Sequence, residues 1–199
     1  MDARTFVQLG LLAFRGSVHG KTKYQKSIYF LGLMTGCLED LGYRAHYYGP
    51  YSEDVAEAMD WLRIIGAVDQ SSSGVGTVDP SGFEIRRYDY RLNAKGRSFA
   101  ENTASRNPDL WQKVQKAADS LKQAGDMGYV SLSIAAKTYF LLEQKKGPAT
   151  REELRRFATR YGWEVSPPQL EEAGAFLERL GLIEVTPVDE DESPDTHDS

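Results

Sequence analysis

The segment HYYGPYSEDV, residues 46–55, joins a tyrosine-rich Gly-Pro turn to the start of an acidic helix. Pro50 restricts the direction in which the chain enters that helix. Ser52 has the side chain of a helix N-cap, and Glu53 and Asp54 fall in the first turn, where the helix dipole favours negative charge. The segment therefore predicts a helix that begins directly after Ser52.

Two further helices are predicted upstream. Apolar residues leave only a narrow polar edge over residues 3–14, which predicts a mostly buried helix that stops near Gly16. After the loop GSVHG, a second helix is predicted from a Thr22 cap to about Leu41. A short extended segment, 43–48, then leads into the Gly-Pro turn.

A β-hairpin with a long tip is predicted after the third helix. Gly66 ends that helix, and Val68 opens a strand. A polar, Gly/Ser-rich loop is predicted at 69–82, and FEIRRYDYRL, 83–92, is predicted to return as the second strand. Three helices followed by such a hairpin are typical of a winged helix-turn-helix, in which the hairpin is the wing.

The second half repeats part of this pattern. AMDWLRIIGAV, 58–68, aligns without gaps with AGAFLERLGLI, 173–183, and in each copy an apolar helix turn is followed by a glycine and an aliphatic pair. Chance similarity between two helix ends is the alternative. We predict a mainly α fold with a small β-wing, built as tandem winged helix-turn-helix units at 1–104 and 105–186 and followed by a disordered acidic tail at 187–199.

Helix starts in the second half carry clear signals. Thr150 and Glu153 have the spacing of a capping box, and so do Ser166 and Gln169. A further amphipathic helix is predicted after Pro108.

Composition narrows the functional class. The acidic tail accounts for the net charge of −5, because the body before it has 24 basic and 23 acidic side chains, a net charge of +1. No apolar run approaches the roughly 20 residues of a membrane span, and the N-terminus lacks a secretory pattern, so we expect a cytoplasmic protein with no membrane partner. The one cysteine and three histidines do not have the spacing of a zinc site. The sequence also gives Cys37 no histidine that could act as the base for a nucleophilic thiol. We expect no metal, no cofactor and no enzymatic activity.

Two motifs together resemble a known family. GKTKYQKSIYFLG, 20–32, followed by YRAHYYGPYSEDVAEAMDWLRIIGAV, 43–68, resembles the YwgA-like proteins of bacteria and archaea, which pair a Gly-Lys-x-x-x-Gln-Lys helix start with a Tyr-Gly-Pro-Tyr-Ser turn. The stretch is more distantly similar to the SocA-type antitoxin domain. The resemblance covers about 5–68 and implies a winged-helix fold in a regulatory, toxin-antitoxin or antiviral-defence context, with no catalytic residues. The residues that match the shared pattern are Lys21, Gln25, Lys26, Gly49, Pro50, Tyr51 and Ser52.

Basic residues predict a DNA-binding regulator of transcription. They cluster at the start of the second helix, on and after the returning wing strand, and along one helix of the second half, where they could grip the phosphate backbone of double-stranded DNA. A solvated helix face is the alternative explanation of such charge runs. The predicted nucleic-acid-binding residues are Lys21, Lys23, Lys26, Arg86, Arg87, Arg91, Lys95, Arg151, Arg155, Arg156 and Arg160.

The acidic third helix favours a different ligand. A recognition helix that begins with carboxylates would bring negative charge between two rows of phosphates. The alternative is a protein-binding module of antitoxin or defence-adaptor type that recognises a basic protein partner, and a homodimer is also left open. The predicted partner-binding residues are Tyr47, Tyr48, Tyr51, Glu53, Glu57 and Asp60.

Overall fold

A computed structural model describes residues 1–73, 87–125 and 128–184 of the chain. The described part is mainly α-helical with one three-stranded antiparallel sheet, which confirms the predicted class. None of its helices combines the length and apolar content that a membrane span requires. The helices are α1 (Ala3–Ala13), α2 (Lys21–Thr35), α3 (Glu53–Ile64), α4 (Ala94–Arg106), α5 (Pro108–Gln123), α6 (Tyr129–Lys145), α7 (Arg151–Thr159) and α8 (Pro167–Arg179), and the strands are β1 (Ser17–His19), β2 (Val68–Ser73) and β3 (Arg87–Leu92).

The sheet has β3 at its centre, paired with β1 on one side and β2 on the other. β2 and β3 pair from Val68 opposite Leu92 to Ser73 opposite Arg87, which confirms the predicted hairpin. The assignment of residues 69–73 to its loop was wrong, because they belong to β2. The prediction of a loop at GSVHG was wrong, because β1 lies within it. Its three residues pair with residues 89–91 of β3, and such a distant partner leaves no local signal in so short a strand.

The second helix is shorter than predicted. α2 begins after Gly20 rather than at a Thr22 cap, and it ends at Gly36, which adopts the left-handed conformation with φ of 71°. The amide of Cys37 donates to the carbonyl of Gly32 and closes the helix end. Leu41 lies instead in a short 3₁₀ turn. α1 and α3 occupy the predicted positions.

Both predicted capping boxes are confirmed. The Glu153 amide donates to the Thr150 hydroxyl at 3.2 Å, and the Ser166 amide donates to the Gln169 side chain at 2.9 Å. Residues 128–184 contain the three helices α6, α7 and α8 and no strand. The second wing is predicted at LIEV, 182–185, and the tail. Residues 182–184 form no strand, and residues 185–199 lie outside the described part, so the tandem arrangement stays a prediction.

Two hydrophobic clusters share helices. Tyr24 and Ile28 of α2 pack in the first cluster, with α1, α3 and the sheet. Phe30 of α2 packs in the second, where its ring centroid lies 5.5 Å from that of Phe176 on α8. α5 also belongs to both clusters, through Val114 in the first and the residues near its end in the second. α2 and α5 therefore connect the two clusters.

Candidate functional site

The predicted cap of α3 is also the centre of a buried hydrogen-bond network. The Ser52 hydroxyl accepts from the Val55 amide at 3.0 Å and donates to the Leu41 carbonyl at 2.5 Å. The Gln25 side-chain amide pairs with the Ser52 backbone twice, since its Nε2 donates to the carbonyl at 2.9 Å and its Oε1 accepts from the amide at 3.1 Å. Tyr24 adds a hydrogen bond from its hydroxyl to the Val55 carbonyl. These contacts hold the start of α3 against α2.

Lys26 is buried, with a relative exposure of 1%. Its ammonium donates to the Pro50 carbonyl at 2.5 Å. Burial lowers the pKa of Lys26 to about 7, and the nearby Lys137 ammonium acts in the same direction. An ammonium in this position cannot reach a phosphate group, so the assignment of Lys26 to a nucleic-acid surface does not agree with the structure. We call Gln25, Lys26, Pro50 and Ser52 the turn latch.

The second half of the chain holds the same turn from the other side. The Ser133 hydroxyl of α6 donates to the Tyr48 carbonyl at 2.8 Å, and the Trp163 indole donates to the His46 carbonyl at 2.9 Å. Gly49 has φ of 93°, and a Cβ atom there would lie 2.9 Å from Cγ of Lys137. Only glycine fits this backbone and this space. The sequence did not single out these residues of the second half, because no local pattern links them to the turn.

The fixed turn presents aromatic side chains to solvent. Tyr47 is 68% exposed and Tyr48 is 61% exposed, and their rings meet edge to face with centroids 4.9 Å apart. Tyr51 is half-buried, with its ring 5.2 Å from His46. The carboxylates of α3 that follow are exposed. We call the set Tyr47, Tyr48, Tyr51, Glu53, Glu57 and Asp60 the acidic-tyrosine surface.

Basic residues near the sheet have varied surroundings. Lys21 is exposed, and its ammonium lies 5.0 Å from the Tyr88 ring of β3, while Lys23 is half-buried. Arg87 is the neighbour of Tyr88 in β3, so the start of α2 and this strand do converge. Arg86 lies outside the described residues, and Arg87 is described only in its backbone.

The outward face of the sheet has mixed charge. Arg91 is exposed and stands opposite Asp69 of β2 in the strand register. Asp89 lies two residues before it on β3, with its carboxylate 3.4 Å from His19 Nδ1. Lys95 donates to the Ile65 carbonyl at 2.5 Å, which neutralises the C-terminal end of α3. The basic side chains of this region therefore either lie next to carboxylates or, like Lys95, bind the carbonyl end of a helix.

The arginines of α7 are partly neutralised as well. Arg151 pairs with Glu171 at 3.1 Å, and Arg155 pairs with Glu152 at 3.4 Å. The Arg160 guanidinium lies 4.9 Å from the Phe157 ring, and Arg156 is exposed. α7 packs against α6, whereas the sheet packs against α1 to α4.

The described residues contain no cluster of three or more histidine, cysteine, aspartate or glutamate side chains arranged to hold a metal ion. Cys37 is half-buried, with its Sγ 3.6 Å from the Thr35 carbonyl. The absence of enzymatic activity stays a prediction.

No protein-family model matches the chain, and a comparison with curated proteins finds no match. The resemblance to the YwgA-like proteins therefore stays an expectation that rests on the two motifs.

Proposed function

We propose that this protein is a protein-binding module that recognises a basic protein partner through the acidic-tyrosine surface. The observation that carries the proposal is that two exposed tyrosines and the exposed carboxylates at the start of α3 lie within ten residues of each other in a segment whose backbone is held from both sides. Within the described part of the chain, Glu53 and Glu57 form no ion pair, whereas Asp60 pairs with Arg63 at 2.7 Å. The charge of the two glutamates is therefore available to a ligand.

Physical chemistry favours a protein as the ligand of such a surface. Tyrosine supplies a large contact area at a low cost in side-chain entropy, and it is enriched at the centres of protein interfaces. Carboxylates at the edge of the same surface would steer a positively charged partner and fix its orientation. Because the latch already orders the backbone of the turn, binding would cost little further conformational entropy.

Binding to DNA through backbone contacts is the second candidate. The specific observation in its favour is the convergence of Lys21 with strand β3, next to Arg87. Against it, α3 would place Glu53 and Glu57 near phosphates, and Lys26 is buried.

A matched pair of charge reversals tests the proposal. A partner is first identified by cross-linking in the native cell, and its affinity is then measured with purified proteins. We expect the double variant Glu53→Lys/Glu57→Lys to weaken binding at least about tenfold, which is about 1.4 kcal/mol. The control Glu172→Lys/Glu178→Lys changes the net charge equally on the exposed side of α8 and should bind as the wild type does. An equal loss of affinity for the partner in the two double variants would contradict the proposal.

Titration with a DNA duplex separates the two candidates. The DNA-binding candidate requires affinity that falls steeply with salt and is lost in Lys21→Glu. The DNA-binding function replaces the protein-binding one if two results are obtained together. The duplex binds with this salt dependence and its binding is lost in Lys21→Glu, and no protein partner binds the two double variants with different affinities.

A further inference from the structure

A cavity of about 280 Å³ opens between the turn that joins α1 to β1, the first turns of α2 and the end of α5. Both apolar and polar residues line it. The apolar lining residues are Phe14, Val18, Leu121 and Leu132, and the polar side chains are those of Arg15, Ser17, His19, Lys23, Ser27 and Lys122.

Four basic residues line this cavity. No carboxylate is among the described lining residues, although the Asp89 carboxylate lies 3.4 Å from Nδ1 of the lining residue His19. Lys122 is oriented by a 3.0 Å hydrogen bond from its ammonium to the Ala13 carbonyl, and its contact with Asp119 is longer, at 3.4 Å. Asp119 itself is not part of the lining. Arg15 and Lys122 are exposed, and two cationic side chains next to apolar residues favour an anionic ligand with an apolar body.

Arg15 occupies a backbone conformation that favours glycine. It has φ of 59° at the residue after the α1 C-cap, where the Gly16 amide donates to the Leu11 carbonyl at 2.8 Å and the Arg15 amide donates to the Leu12 carbonyl at 3.0 Å. Helices that end in this motif most often have glycine in the left-handed position, because a Cβ atom there is unfavourable. Strain of this kind at a cavity points to a role of the side chain. In this chain the strained position carries Arg15, which lines this cavity and also a neighbouring one that Glu101 and Asp119 line.

We propose that the cavity binds a small organic anion, with its carboxylate or phosphate group between Arg15 and Lys122 and an apolar body against Phe14 and Leu132. The size is suitable, since an apolar cavity of about 150 Å³ already accommodates benzene. A single ring with one acidic group fits in the 280 Å³ available. This site is independent of the acidic-tyrosine surface, so its test does not depend on the function proposed above.

Benzoate and phenyl phosphate are the probes, and benzyl alcohol is the neutral control of the same shape. Each is titrated into the ¹⁵N-labelled full-length protein, and the amide resonances of Gly16, Val18 and Ser27 are followed. We expect saturable shifts with at least one anion and binding of benzyl alcohol at least about tenfold weaker. The two anions distinguish a carboxylate ligand from a phosphate ligand.

Arg15→Gly separates binding from folding. The variant removes the guanidinium and also relieves the strained backbone, so its thermal midpoint should equal or exceed that of the wild type while its affinity for the anion falls at least about tenfold. Lys146→Gly is the matched control, because Lys146 has φ of 54° at the end of α6 and does not line the cavity. It should gain stability in the same way and bind the anion as the wild type does. Equal affinity for benzyl alcohol and the anions, wild-type affinity in Arg15→Gly, or no shift with either anion at millimolar concentration would overturn the proposal.

Discussion

Replacing Lys26 with methionine tests how the turn latch is held together. Burial lowers the pKa of Lys26 to about 7 from an ordinary value of 10.5. At pH values between these two pKa values, the unfolded chain binds more protons than the folded protein. The free energy of unfolding of the wild type therefore rises with pH over that window. Below pH 7 the folded protein carries the full cost of burying the ammonium.

The size of the effect follows from the two pKa values. The burial of Lys26 costs about 5 kcal/mol at pH 6 and about 2 kcal/mol at pH 9. Methionine avoids this cost but leaves the Pro50 carbonyl without its donor, which costs roughly 1–3 kcal/mol at every pH. We therefore expect Lys26→Met to be more stable than the wild type by about 2–4 kcal/mol at pH 6 and within about 1 kcal/mol of it at pH 9.

Urea unfolding followed by tryptophan fluorescence at these pH values measures the difference, because the chain has three tryptophans. Lys113→Met, on the exposed face of α5, is the control and should keep the pH profile of the wild type. Parallel pH profiles for the wild type and Lys26→Met would refute the reasoning, because they would mean that the ammonium is not buried as described.

Two further predictions concern the cap of α3 and the glycines of α4 and α8. Ser52→Ala removes both the cap of α3 and the hydrogen bond to the Leu41 carbonyl, so the free energy of unfolding should fall by about 2 kcal/mol in a urea titration, and an unchanged midpoint would contradict the network. Gly96→Ala places a Cβ atom 1.9 Å from the Ala67 carbonyl oxygen and should cost at least about 2 kcal/mol, whereas Gly174→Ala in α8, whose Cβ would meet nothing within 4 Å, should gain about 1 kcal/mol. Thermal unfolding of the two glycine variants should shift in opposite directions, and shifts of the same sign would count against the packing described.

Local signals in the sequence were sufficient where a residue and its partner are close along the chain. The Ser52 cap contacts the amide three residues later, and both capping boxes have the same short range. The end of α2 shows the limit of such signals. Gly36 and Gly42 both adopt the left-handed conformation, and the helix ends at Gly36 although apolar residues continue as far as Leu41.

The sequence by itself determined the starts of α3, α7 and α8, the paired hairpin and the acidic character of α3, because periodicity, caps and charge act within a few residues. Only the tertiary structure decided which charged side chains remain available to a ligand. Lys26 matched a basic motif yet lies buried beneath the Gly-Pro turn, and the turn itself is held by Trp163, whose indole bonds a carbonyl 117 residues away. Burial depends on every element that packs nearby, and contacts over such separations leave no trace in local periodicity.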